Sequence, residues 1–146
     1  MFRIIRIILL SAFFSMNAYS QIDSQVELAF ESLNQFINVR DFCISNDTTE
    51  VYFTVQSPSQ EISHIAYMKK RNGIWDEPQL ISFADQYSDL EPFLSPDQMR
   101  LCFASNRPRD GSTQPRKDFD IWYVVRKNKN EKWSDPVNMG SPVKFR

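Results

Sequence analysis

At 146 residues, with 17 Lys and Arg against 18 Asp and Glu, the chain is the size of one modest domain with an ordinary charge balance. Both signs are scattered, and no basic patch or acidic tail argues for a nucleic-acid partner. Two cysteines, a single histidine and no Cys-x-x-Cys or Cys/His cluster give no basis for a zinc site or a cofactor.

The first twenty residues are set apart from the rest. Arg3 and Arg6 form a positive start, Ile4 to Phe14 is an apolar run, and Asn17-Ala18-Tyr19-Ser20 offers small residues before a cut at Gln21. This is the layout of a secretory signal peptide, with cleavage expected after Ser20. A membrane anchor is the alternative, but the run is shorter than the ~20 apolar residues a bilayer span needs. Export predicts a periplasmic or secreted protein with no stable membrane span once the signal is removed. An oxidising compartment permits a disulfide. However, Cys43 and Cys102 fall at different places in the repeat described next, which favours buried free thiols.

A repeat runs through the mature chain. Asp41-Phe42-Cys43-Ile44-Ser45-Asn46-Asp47 matches Glu91-Pro92-Phe93-Leu94-Ser95-Pro96-Asp97, at an offset of 50. Glu50 to Thr54 meets Arg100 to Ala104 at the same offset. His64 to Met68 meets Asp120 to Val124 at an offset of 56, so the second unit carries six extra residues, within the polar stretch Pro108 to Lys117. Trp75-Asp76-Glu77-Pro78 meets Trp133-Ser134-Asp135-Pro136 at an offset of 58. Four matches in one order, with slips confined to loops, indicate two copies of one structural unit.

Each unit reads as four short antiparallel strands. The first precedes Ser-x-Asp, a turn in which Asp47 or Asp97 bonds local backbone. The second, Met99 to Ser105 in unit two, alternates its faces. The third, Asp120 to Arg126, is β-branched and aromatic, and the fourth begins near Trp133 and runs towards Val137. The expected layout is a signal over 1–20, an N-terminal segment over 21–37, unit one over 38–83, and unit two with a C-terminal strand over 84–146. Leu33 to Asn38 is similar to Val137 to Val143, which makes the N-terminal segment a candidate strand of a neighbouring unit; a single helical turn fits Val26 to Leu33.

The run Glu91-Pro92-Phe93-Leu94-Ser95-Pro96-Asp97, then Leu101 to Arg107, then Asp118-Phe119-Asp120-Ile121-Trp122 resembles the TolB-type β-propeller repeat. The second unit matches closely and the first more loosely, over roughly residues 38–143. The resemblance implies an all-β fold of two four-stranded propeller blades, used as an exported platform for binding a protein or a cell-envelope component. An alternative is the N-terminal propeller part of an exported sialidase-like or peptidase-like hydrolase. Two departures stand out. The family's Gly after Ser-Pro-Asp is replaced by Thr48 and Gln98. Moreover, rings of this kind hold about four to eight blades, so two make an incomplete propeller: part of a longer one, a homo-oligomer completing a ring, or a remnant. An incomplete ring is expected to leave two apolar faces open.

No nucleophile motif accompanies His64, which reads as a structural or surface residue, and no catalytic residue is nominated. Arg107, Asp118 and Asp120 are the candidate ligand-binding residues; the bland alternative has Arg107 pairing Asp118 or Asp120 to fix the loop between strands two and three. Asp47, Asp97, Trp75, Trp133, Pro78 and Pro136 recur at matched positions and read as structural, the tryptophans packing between units. Lys69 to Arg71 and Arg126-Lys127 read as solvated hairpin charges.

Overall fold

The computed structural model describes residues 30–109 and 112–140. The signal peptide, its cleavage site, most of the N-terminal segment and the chain after Gly140 lie outside the described residues. What is described is all-β: two antiparallel sheets packed against each other, with no α-helix among these residues. Sheet one holds β1 (Asn38–Ile44), β2 (Glu50–Gln56), β3 (Ser63–Arg71), β4 (Ile74–Trp75) and β5 (Gln79–Leu80). Its order is β1-β2-β3-β4, with β5 also pairing β3. Sheet two runs in order through β6 (Asp89–Leu94), β7 (Arg100–Ser105), β8 (Asp120–Val125) and β9 (Val137–Asn138).

The fourth strand differs from its expected form. In sheet two it does not start at Trp133; the ladder begins at Val137, opposite Tyr123. Pro136 has no N–H to give, and the approach is held instead by Ser134, whose N–H donates to Val125 C=O at 2.8 Å and whose hydroxyl accepts from Val125 N–H at 3.1 Å. In sheet one the same path is broken by Pro78 into β4 and β5.

The two sheets share their irregularities at repeat-equivalent places. Between Arg40 and Cys43, and again between Leu90 and Phe93, one extra residue enters the first strand as a bulge. The residues that absorb it, Asp41 and Glu91, have φ of 59° and 57°. The turns after them close through Thr48 N–H to Ser45 C=O and Gln98 N–H to Ser95 C=O, both at 2.8 Å. Thr48 and Gln98 sit there at φ of 57° and 63°. Both positions thus take the left-handed conformation for which glycine is suited, and neither has one.

Alternation along the strands gives each sheet a front and a back. The front of sheet one presents Cys43, Tyr52, Ile65 and Tyr67; these pack against Leu94, Leu101, Phe103, Trp122 and Val124 from the back of sheet two. The repeat equivalents of Leu101, Phe103, Trp122 and Val124 in unit one are Val51, Phe53, Ala66 and Met68, which form a second cluster on the back of sheet one. The sheets therefore stack head to tail, front onto back, and not face to like face.

Among the described residues one outer face is open and the other is only partly covered, since Phe42 and Ile44 on the back of sheet one remain about half exposed. On the front of sheet two, Phe93 is 62 % exposed and Ile121 49 %, with Val125 and Val137 also exposed beside them. The back of sheet one carries Phe30 and Leu33 against its cluster. The cover is not a strand of a neighbouring unit: Glu31–Gln35 is a 3-10 helix, closed by Leu33 N–H to Phe30 C=O and Phe36 N–H to Leu33 C=O. Ser32, Asn34 and Gln35 favour such local bonding, and Gln35 donates its side-chain N–H to Ser32 C=O.

Thr48 is exposed and β-branched, so its left-handed backbone costs about 1 kcal/mol that glycine would avoid. Thr48→Gly is expected to raise the urea midpoint accordingly; an unchanged or lower midpoint would mean the turn is not strained.

Candidate functional site

Polar side chains gather at the two ends of the interface between the sheets. At the end where β6 starts and β7 finishes, Arg107 is buried. Its Nη2 donates to both carboxylate oxygens of Asp89 at 2.9 and 2.7 Å, and its Nε to Ser105 Oγ at 2.9 Å. Asp85 stands 3.7 Å from Nη1. The guanidinium lies among the rings of Phe83, Tyr87, Phe103 and Trp122, at 5.6–5.8 Å. Asp89 is wholly buried, and burial pushes its carboxyl above the ordinary value against the pull of Arg107.

This corrects the pairing expected for Arg107. Asp89 lies directly opposite Ser105 in the ladder, two residues before the arginine, so the buried acid is within reach when Asp118 and Asp120 are not. Asp120 is held instead by Arg109 and Arg116 of the long β7–β8 loop, and Arg109 in particular keeps its carboxyl below the usual range. Asp118 lies exposed and belongs to neither group. The three nominated residues thus do not converge on one site.

At the opposite end, Arg126 reaches from sheet two to Glu50 of sheet one. Nη1 donates to Oε1 at 2.9 Å and Nη2 to Oε2 at 2.6 Å, with both side chains almost fully buried. Arg126 Nε donates to Gln98 C=O at 2.9 Å, and the guanidinium lies 4.4 Å from the centre of the Trp133 ring. Lys69 adds a second cation at 3.0 Å from Glu50, and Tyr52 O–H donates to the same carboxylate at 3.2 Å. Burial alone would raise the Glu50 carboxyl, but Arg126 and Lys69 together more than offset it and hold it below its ordinary value. Nearby, Lys129 pairs with Asp47 across the interface. Arg126 and Lys69 are therefore interface residues, not the solvated hairpin charges that their sequence context suggests.

The matched residues of the repeat serve the units. Asp97 accepts from Ser95 O–H at 2.5 Å and Met99 N–H at 3.0 Å; Asp47 does the same for Ser45 and Thr49. Trp133 packs edge-on against Tyr52 of the other sheet at 6.1 Å, and Trp75 edge-on against Phe30 at 5.2 Å. Phe30 therefore stands, on the back of sheet one, where the ring of Tyr52 stands for sheet two. Pro78 and Pro136 lead into β5 and β9. His64 is half-buried on β3. Cys43 and Cys102 are free and lie on different sheets; the Cys43 sulfur accepts Leu94 N–H at 3.2 Å.

A cleft of about 200 Å³ opens beside the lower cluster, lined by Tyr52, Tyr67, Lys69, Leu80, Arg126 and Trp133. Two of its cations, Lys69 and Arg126, are already engaged with Glu50. Among the described residues no three His, Cys, Asp or Glu side chains gather as a metal ion would require, and no helix is long and apolar enough to cross a membrane. The larger uncommitted feature is the open apolar front of sheet two. Glu50, Arg126, Asp85 and Asp89 escape a search for repeated residues because none of them is repeated: the equivalents of Glu50 and Asp89 are Arg100 and Val39.

Removing Arg126 leaves Glu50 buried with half its compensation. Arg126→Met is expected to cost about 3 kcal/mol in chemical denaturation, and a loss below about 1 kcal/mol would mean the pair contributes as a surface pair does. Because the Glu50 carboxyl is lowered on folding, its contribution is full above the ordinary carboxylate value of 4.5 and is lost as pH falls through the folded value. Stability should therefore fall in acid more steeply for the native chain than for Glu50→Gln. Parallel pH profiles would remove Glu50 from the acid transition. Asp89, shifted the other way, is common to both proteins and cancels in the comparison. No protein-family model matches the chain, and no curated protein or solved structure does.

Proposed function

We propose that the chain is an exported binding module built from two propeller-type blades, which engages another protein or a cell-envelope component and performs no chemistry of its own. The observation that carries this reading is the head-to-tail stack. It leaves Phe93, Ile121, Val125 and Val137 together on a face that no described residue covers, while Phe30 and Leu33 cover part of the back of sheet one. A contiguous exposed apolar patch on an otherwise well-packed protein is the usual mark of an interaction surface. The polar clusters support the same reading, since their charges are committed to one another, Glu50 with Arg126 between the sheets and Asp89 with Arg107 within sheet two.

Two measurements test it. Expressed in full in a bacterial host, the protein is expected in the envelope or medium with Gln21 as its first residue; retention of residues 1–20 would overturn export. A photo-reactive residue at Ile121 is expected to give discrete adducts in the producing cell, while one at exposed Glu61 on the β2–β3 loop gives none. Absence of adducts from position 121 would overturn the docking surface.

A further inference from the structure

The interface inside the molecule states what the open face is shaped to receive. The front of sheet one takes the back of sheet two, and the polar contact at its buried lower end is Glu50 with Arg126. The repeat carries both halves of that contact to the outer faces. On the front of sheet two the place of Glu50 is taken by Arg100, whose guanidinium lies over Tyr123 at 5.0 Å. On the back of sheet one the place of Arg126 is taken by Lys70, which lies over Trp75 at 5.4 Å just as Arg126 lies over Trp133. A second copy, stacked by the same operation, would bring Lys70 against Arg100. Like charges brought together in a desolvated interface cost several-fold to many-fold in affinity. The same copy would also have to shed Phe30, which already occupies the ring position against Trp75. Where Tyr52 fills the front of sheet one, moreover, sheet two has the smaller Cys102, leaving room for a bulkier side chain from the incoming face.

We propose, resting on the docking role of the open face, that it seats a sheet of another polypeptide carrying a carboxylate where sheet two carries Arg126. This chain's own first sheet is barred from the same seat by Lys70 and Phe30. Specificity then lies in one charge position: Arg100 selects an acidic partner and rejects self-assembly into rings or fibres.

The test uses the chain as both receiver and probe. The receiver is residues 21–146. The probe is the same chain with Phe30→Ser, which uncovers its back face, with or without Lys70→Glu, each confirmed folded by circular dichroism. Sedimentation of labelled probe with receiver is expected to show binding by the Phe30→Ser, Lys70→Glu probe at least roughly tenfold tighter than by Phe30→Ser alone. Arg100→Glu in the receiver should reverse that order. The unaltered chain should remain a monomer. Binding that ignores the charges at 70 and 100, or a self-associating native chain, would overturn the selection while leaving the open face a docking surface. No binding by any folded probe would overturn the docking reading and this inference together.

Discussion

Arg126 crosses from the second sheet to meet Glu50 on the first, and both charges are out of water. Burying them has a large desolvation cost, and the geometry recovers it only because every oxygen is used: two guanidinium nitrogens, Lys69 and the Tyr52 hydroxyl all converge on one carboxylate. An apolar pair would hold two sheets together at any of several slides. This one cannot slip without stranding a charge, so it sets the offset at which Tyr52, Ile65, Leu101, Phe103 and Val124 interlock. The Asp89–Arg107 pair lies within sheet two at the other end of the stack, joining the start of β6 to the end of β7, enclosed by rings from the loop between the sheets and from sheet two itself. Between the two pairs the core is largely apolar, with Thr54 accepting Glu91 N–H and the Cys43 sulfur accepting Leu94 N–H across the sheets.

The repeat made much of this legible beforehand. Its matches located the strands, and its turn residues located the tight corners. The absence of glycine after Ser-x-Asp pointed to strain, and Thr48 and Gln98 do occupy the left-handed region. Asp41 and Glu91 share that conformation for a reason the sequence pattern conceals: they absorb bulges, and an acid has no special claim on such a place. What stayed illegible was whatever breaks the repeat. Glu50 reads as a strand-edge charge, Arg126 as a hairpin charge, and Asp89 as a polar start to a strand. The stacking of the sheets makes partners of Glu50 and Arg126, 76 positions apart, and the β6–β7 ladder makes partners of Asp89 and Arg107, 18 positions apart. The long loop misled for the same reason: Asp118 and Asp120 lie nearer to Arg107 in sequence than Asp89, but the ladder brings Asp89 beside it.

The N-terminal segment is a second instance. Its likeness to Val137 onward pointed to a strand, yet Glu31–Gln35 coils into a 3-10 turn. Of the apolar residues that produced the likeness, Leu33 covers a sheet face, joined there by Phe30, while Ile37 stays exposed. Phe30 supplies the ring against Trp75 that a strand-bearing unit would supply with a tyrosine. Burial of the right side chain at the right place was the constraint that won, and backbone conformation followed the local polar residues between.

The short, interrupted outer strands have a consequence for how anything approaches this molecule. Exposed sheet edges invite strand addition, in which a foreign backbone zips onto unpaired N–H and C=O groups. Here the outer margin is β9 in sheet two and, in sheet one, β4 and β5 split by Pro78, each only two residues long, and the opposite margin is kinked by a bulge in β1 and β6. Neither margin offers a straight run for a visiting chain to copy. Among the described residues, an approaching chain would thereby meet side-chain surfaces, where shape and charge discriminate, more readily than backbone, where any sequence would serve.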